Sequence, residues 1–508
     1  MRSGRLRGAA ASAALVMLAV AACGGSSDDD GDDTTSGGDT NAVLTVAAEA
    51  EPATLDLTTV AAAAIPRLLL YNVYEGLVKL DGKGEIQPLL AKSWKISDDR
   101  KTYTFTMQGD AKFSTGRKLT AADAVFSIDR ARAADSKHPF KSQLAVVESA
   151  TAKDDTTLEV KLNRTSNSFL YSMANPVGIV YDKDSIAEVA TKPVGSGPFT
   201  FSDFVRGSKL TLVRNEDYWG DEAKVASVIF RFFTDATATV NAALAGELDL
   251  VTNVRTPEAI ARFQGNAAYT VVEGTTNGEV VMALNNEKGP LKDKRVRQAV
   301  IHAIDRAALV KTASAGYGEL IGSMVPPTDP WYEDLSGLYP YDPAKAKALL
   351  AEAGFANGLT LQMKLPTRPD ALAAGRFVEA QLKAVGITAK TTQLEFPARW
   401  LDVVFTKADY DISIISHVEP RDIEKYGDPK FYWRYQNPKA KELLTQADAG
   451  SPEEQIAKLK ELAKLLADDA ASNWLYLQPS LQVLKKGVSG YPENAATLSY
   501  DMTKIQKA

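Results

Sequence analysis

Cysteine is nearly absent from this chain. Cys23 is the only one in 508 residues, so no internal disulfide can staple a fold. Histidine is scarce as well: His138, His302 and His417 stand too far apart for HExxH or any local metal pair. No G-x-S-x-G occurs. Gly195-Ser196-Gly197 comes nearest, and nothing in sequence places a base beside it. The same triplet opens a G-x-G-x-x-G pattern, but Thr200 stands where its last glycine should be. The P-loop is missing too. The one long apolar run, residues 9–22, is about 14 residues long and broken by Ser12, short of the ~20 that span a bilayer. No catalytic pair stands out among the 64 acidic residues. The expectation is a chain that is neither an enzyme nor a permease, with no cofactor and no resident metal.

The apolar run follows Arg2, Arg5 and Arg7 and ends in small residues, which describes a secretory signal peptide over residues 1–22. Its end, Leu18-Ala19-Val20-Ala21-Ala22-Cys23-Gly24, resembles the bacterial lipobox. Cys23 is therefore expected to carry acyl chains, and two or more chains hold a protein stably on a membrane. Residues 24–40 then read GGSSDDDGDDTTSGGDT, with six Asp and no large apolar residue. Such a stretch cannot bury enough surface to offset its ordering entropy, so residues 23–41 are expected to form a lipidated, disordered tether. The whole chain carries −6. Six of its negative charges lie in the tether and three of its positive ones in the leader, which leaves the body near −3. That offers no electrostatic footprint for nucleic acid.

The remaining roughly 465 residues suggest about three structural domains. The most informative stretch is 193–220, PVGSGPFTFSDFVRGSKLTLVRNEDYWG. It reads as a Gly/Pro turn, a strand with Phe199 and Phe201 on one face, a turn at Arg206-Gly207-Ser208, and a strand with Leu210 and Leu212 on one face. Upstream, Tyr103, Phe105 and Met107 alternate with threonines as in a half-buried strand, and Thr120 with Asp123 is close to a capping box. Residues 290–310 predict one amphipathic helix, with Val296, Val300 and Ile304 at i, i+4 and i+8 and Arg295, Arg297 and Arg306 turned to solvent or paired locally. Asp342-Pro343 opens another helix that Gly354 stops. Residues 410–416 form a largely apolar strand, and a last helix over 453–470 leads into a strand at 475–484. Helices and strands alternate without internal repeats, which indicates an α/β body.

Taken together, these motifs resemble those of the family 5 extracellular solute-binding proteins of ABC transporters, the oligopeptide, dipeptide and nickel binders. The resemblance runs through 193–220, the Leu-Thr-Ala-x-Asp segment near Thr120, the turn Gly246-Glu247-Leu248-Asp249, and the helix beginning Asp293-Lys294-Arg295-Val296-Arg297-Gln298-Ala299. It implies a two-lobed periplasmic-binding-protein-like fold (type II, cluster C) with a small extra domain in the first lobe. The expected division is 42–75, 194–276 and 486–508 for lobe I, 76–193 for the extra domain, and 277–485 for lobe II. Hinges are expected near residues 276 and 485. The implied role is an extracytoplasmic, lipid-anchored monomer that captures a peptide or peptide-like solute between its lobes. It would hand that solute to ABC permease subunits, with the ATPase a separate chain. A non-peptide solute (an oligosaccharide, opine or chelated metal) is the alternative, and a secreted hydrolase a weaker one.

A cleft for a flexible polar solute needs strand edges, aromatic cover and a few placed charges. The family's peptide binders carry an Asp for the peptide's α-ammonium in the loop after the 410–416 strand. Here that loop reads His417-Val418-Glu419-Pro420-Arg421-Asp422, and the Asp position falls on or beside Pro420. Glu419 or Asp422 could serve instead, while His417 and Arg421 equally fit a ligand with its own carboxylate or phosphate. Trp400 is a further candidate, as are the four small residues Ala61, Ala62, Ala63 and Ala64, which correspond to a segment whose backbone faces peptide ligands in the family.

Overall fold

In the computed structural model, residues 38–508 are described and form one compact unit. The leader, Cys23 and the tether to residue 37 lie outside the described residues. Among the described residues, no helix is long and apolar enough to cross a membrane.

One ten-stranded sheet organises the unit, and two long strands run through its middle. These crossing strands, Tyr269–Leu284 and Ser472–Lys485, are antiparallel neighbours. Their pairing is regular from Tyr269↔Lys485 to Thr275↔Pro479, slips, and resumes at Glu279↔Leu477. On one side of the slip, Leu250–Val251, Val43–Ala48, Ser227–Phe232 and the hairpin Lys209–Arg214/Phe199–Val205 extend the sheet. On the other side, Ile412–His417, Leu359–Pro366 and Ile387–Leu394 do so. These are the two lobes. The register places the second crossing at residues 477–479, because Leu484 and Val483 still pair with Leu250 and Val251 of lobe I. That corrects the expected hinge near 485.

Lobe II's half of the first crossing strand is apolar on both faces: Val280, Met282 and Leu284 enter one core, Val281 and Ala283 the other. Helices cover both sides, as a buried mixed sheet requires. The extra domain is a four-stranded antiparallel sheet, in the order Ala91–Ile96, Thr102–Met107, Thr157–Leu162, Val147–Ala152. Helix Ala121–Arg132 packs its Ala121, Ala124 and Ile128 against Tyr103, Phe105 and Leu158 of that sheet. At its start the Asp123 carboxylate accepts the Thr120 backbone N–H at 2.9 Å.

The helix expected over 290–310 is two helices, Lys294–His302 and Arg306–Ala313. Asp305 breaks the pattern by capping the second one through the Ala308 N–H at 2.9 Å. Its arginines also depart from expectation. Arg297 is buried and donates to the carbonyls of Leu291, Asp469 and Ala470, and Arg306 donates to those of Ile321 and Trp474. Each satisfies backbone carbonyls of separate segments at once.

Candidate functional site

The strands' directions place the site. Val43–Ala48 runs toward the slip from lobe I, parallel to Leu250–Val251. Ile412–His417 and the parallel strand Leu359–Pro366 run toward it from lobe II. The carboxyl ends of both half-sheets therefore face one another across the crossing strands, where open α/β sheets take their ligands. Four segments converge there: Glu49 after the first strand, Asn253 and Arg255 after the Leu250–Val251 strand, 367–370 after Pro366, and 418–422 after His417. Gln478 links the lobe II ends, accepting from the Ser416 hydroxyl at 2.8 Å and donating to Asp370 at 3.4 Å.

One pole of this region is acidic. His417, Glu419 and Asp422 offer ligand atoms within 4.8 Å of one another. The His417 Nδ1–H donates to Asp422 Oδ2 at 3.0 Å, and Nε2 is 2.8 Å from the Tyr432 hydroxyl. Because a carboxylate only accepts, Nδ1 carries a hydrogen toward Asp422, and Nε2 is taken up by the Tyr432 hydroxyl. The ring also stacks on Tyr432, with 5.8 Å between centroids. His417 thus positions Asp422. A metal could use the two carboxylates, but the imidazole has no free nitrogen to offer it. Burial first, and then Asp422, raise the Glu419 carboxyl above the usual range.

Glu279 joins this pole. It is the direct partner of His417 across the two strands, so the two side chains share a face of the sheet. It is 2% exposed, and burial followed by the charge of Asp422 pushes its carboxyl well above the usual range. Arg421, in the left-handed conformation (φ 63), swings away toward the extra domain. There its guanidinium lies 3.6 Å from the Tyr171 ring centroid and 5.1 Å from that of Trp331. It also opposes the burial that pushes Asp329 up to about 7.

The other pole is basic. Arg67 donates to Glu49 at 2.6 Å, and Asn253 donates to the other Glu49 oxygen at 3.2 Å. Burial disfavours the Glu49 charge, yet Arg67, Arg255 and Arg368 hold its carboxyl below the usual range. Arg368 comes from lobe II and Glu49 from lobe I, so this cluster spans the cleft. Arg368 is paired only loosely with Asp370, at 3.2 Å and 3.3 Å.

Of the residues expected from sequence, His417, Glu419 and Asp422 come together, with Val418 half-buried between them. Trp400 lies in the lobe II core, 2% exposed, its indole N–H donated to the Ser413 hydroxyl at 3.1 Å. Ala61 and Ala62 are exposed, Ala63 is the N-cap and Ala64 the first residue of the helix Ala64–Leu69 that delivers Arg67. Glu279, Glu49, Arg368 and Asp329 were missed. For Glu279 a signal existed, since it is the one acidic residue at the head of the apolar run Val280–Leu284. Two surface grooves of about 380 and 410 Å³ lie elsewhere, against residues 79–88 and 490–504. Neither contains any of the converging strand ends.

Charged strand ends from two lobes meet at the crossing strands, where a solute can be held between them. The family model of the bacterial extracellular solute-binding proteins, family 5 (middle region), matches residues 85–420. The chain belongs to that family. It is 32% identical over 316 residues to heme-binding protein A of Haemophilus influenzae, covering 56% of this chain and 57% of the relative. It is 28% identical over 356 residues to the dipeptide-binding protein of Escherichia coli, covering 64% and 66%. The alignments thus reach less than two thirds of these relatives' own length. In fold, it matches the periplasmic binding protein DppA of Helicobacter pylori in complex with the peptide STSA, with a TM-score of 0.81 and 24% identity over 92% of this chain and 98% of that one. It also matches AgaA of A. tumefaciens R10 in complex with agropinic acid, with a TM-score of 0.80 and 23% identity over 92% and 99%.

Proposed function

We propose that this protein is the extracytoplasmic receptor of an ABC importer, and that it captures a peptide or peptide-like solute in the inter-lobe cleft and delivers it to permease subunits. The reading rests chiefly on the two poles. Glu279, Glu419 and Asp422 suit an ammonium, and Arg368, loosely paired at the opposite side, suits a carboxylate. A short peptide carries both. Closure of the lobes excludes water and strengthens each of these contacts. Relatives named as dipeptide- and di/tripeptide-binding proteins favour the same reading. Cys23 would carry the lipid anchor, with residues 24–40 as tether to the outer face of the cell membrane, and the receptor would act as a monomer without catalysing a reaction.

The agropinic acid complex of a protein of the same fold keeps an opine as the second reading. Native mass spectrometry of the protein purified gently from its own host separates the two. A mixed set of retained peptide masses, lost on denaturation, is the expected result. A single non-peptide mass would give the cleft to the second reading.

A further inference from the structure

Glu279 has a surplus that the peptide reading alone does not absorb. Its Oε2 is buried and has no hydrogen-bond partner. The charged groups around it are carboxylates: Asp422, Asp329 and Glu419 all push its proton affinity upward. The cations nearest this pole are turned to other groups, and the Arg421 Nη1 is itself buried without a hydrogen-bond partner. His417 is held between Asp422 and Tyr432, and Arg421 lies over Tyr171 while offsetting Asp329 and Glu424. Glu279 stands opposite His417, whose neighbours are Glu419 and Asp422, and an α-ammonium held by those two leaves the Glu279 Oε2 without a donor. A buried carboxyl oxygen left without a donor is costly, so a ligand that supplies one there gains selectivity.

We infer that the cleft prefers solutes whose leading end carries two positive charges, and specifically peptides whose first residue is lysine or arginine, with Glu279 receiving that side chain. The α-ammonium goes to Glu419 and Asp422. Glu279 sits at the start of lobe II's half of the first crossing strand, beside the slip, so a side chain reaching it lies against the hinge. This inference rests on the peptide reading above.

Titration calorimetry on the full chain tests it with three probes: Lys-Ala-Ala, its uncharged isostere norleucine-Ala-Ala, and Ala-Ala-Ala. Lys-Ala-Ala is expected to bind about tenfold or more tighter than the isostere, because only it brings the second charge. Glu279→Gln should erase that advantage, bringing Lys-Ala-Ala down to the affinity of norleucine-Ala-Ala. Equal affinity for Lys-Ala-Ala and its isostere in the unmodified protein overturns the inference while peptide capture stands. This comparison needs no variant to fold. An advantage that survives Glu279→Gln overturns the assignment to that residue. Failure of all three peptides to bind at millimolar concentration overturns both the inference and the peptide reading.

Discussion

The backbone N–H of Asn167 donates to the carbonyl of Asp448 at 2.8 Å, joining the extra domain of lobe I to a helix end of lobe II. Around this bond the Asp448 carboxylate accepts from the Ser166 hydroxyl at 2.8 Å, the Ser168 N–H at 2.9 Å and the Arg164 guanidinium. The Asn167 side chain donates to the carbonyls of Ala447 and Gly450, and Arg100 donates to that of Gly450. The helix Pro438–Ala449 ends here, so its last carbonyls are the ones being satisfied from the facing lobe. The contact bridges the two lobes, so an opening that separates these faces would break it. Asp448→Ala removes a charged acceptor worth about 1.5–3 kcal/mol and should weaken ligand binding about 10- to 100-fold by favouring the open state. Small-angle scattering should show a larger radius with ligand present. An unchanged radius and affinity would mean that the contact does not govern closure.

Local features were readable from sequence, and long-range ones were not. The Phe199–Val205 hairpin, the Asp123 contact at Thr120 and the Asp342-Pro343 helix start each depend on neighbours a few residues away. The break at Asp305 was hidden because Ile304 keeps the apolar period going through it. The loop 416–422 stood out as charges following an apolar strand. Glu49, Glu279 and Arg368 did not. Glu49 and Arg368 lie just past strand ends and Glu279 lies inside the long strand Tyr269–Leu284, and only the direction of the strands in the large sheet brings them to the same region.

Arg368 offers a direct test of the basic pole. Arg368→Gln should weaken binding of a tripeptide with a free carboxyl terminus about 10- to 100-fold, the worth of a charge-assisted hydrogen bond pair. The same peptide with an amidated terminus should lose little. Calorimetry on both peptides decides it. An equal loss for both would assign Arg368 to holding Asp370 and Gln478 rather than to the ligand.

Glycines in the 193–220 stretch are there for two different reasons. A Cβ on Gly195 would lie 1.9 Å from the Val73 carbonyl oxygen, whereas Gly207 (φ 71) has open space around it. Gly195→Ala must push backbone apart and should cost about 3 kcal/mol or more in stability. Gly207→Asn keeps a residue that tolerates the left-handed conformation and should cost under about 1 kcal/mol. Urea denaturation of both variants checks the order. Equal costs would show that close approach is not what selects glycine at 195.

Ser196, between the tight glycines, donates to Glu75 at 2.7 Å, and Tyr218 and Trp219 donate to the same carboxylate at 2.8 Å and 3.1 Å. Glu75 is 1% exposed, and burial pushes its carboxyl up to about 7 despite these donors. Below about 4.5 the group is protonated whether the chain is folded or not, so it leaves stability unaffected by pH there. Between about 4.5 and 7 the unfolded chain ionises while the folded one holds its proton, and stability falls as pH rises. The full loss is about 3 kcal/mol, reached once pH passes the folded-state value. Glu75→Gln keeps the shape without the titration. Denaturation midpoints measured from pH 4 to 8 should therefore show the variant gaining on the parent as pH rises, with the gain levelling off above about 7. A difference that stays constant across the range would mean that the three donors hold Glu75 ionised in the fold.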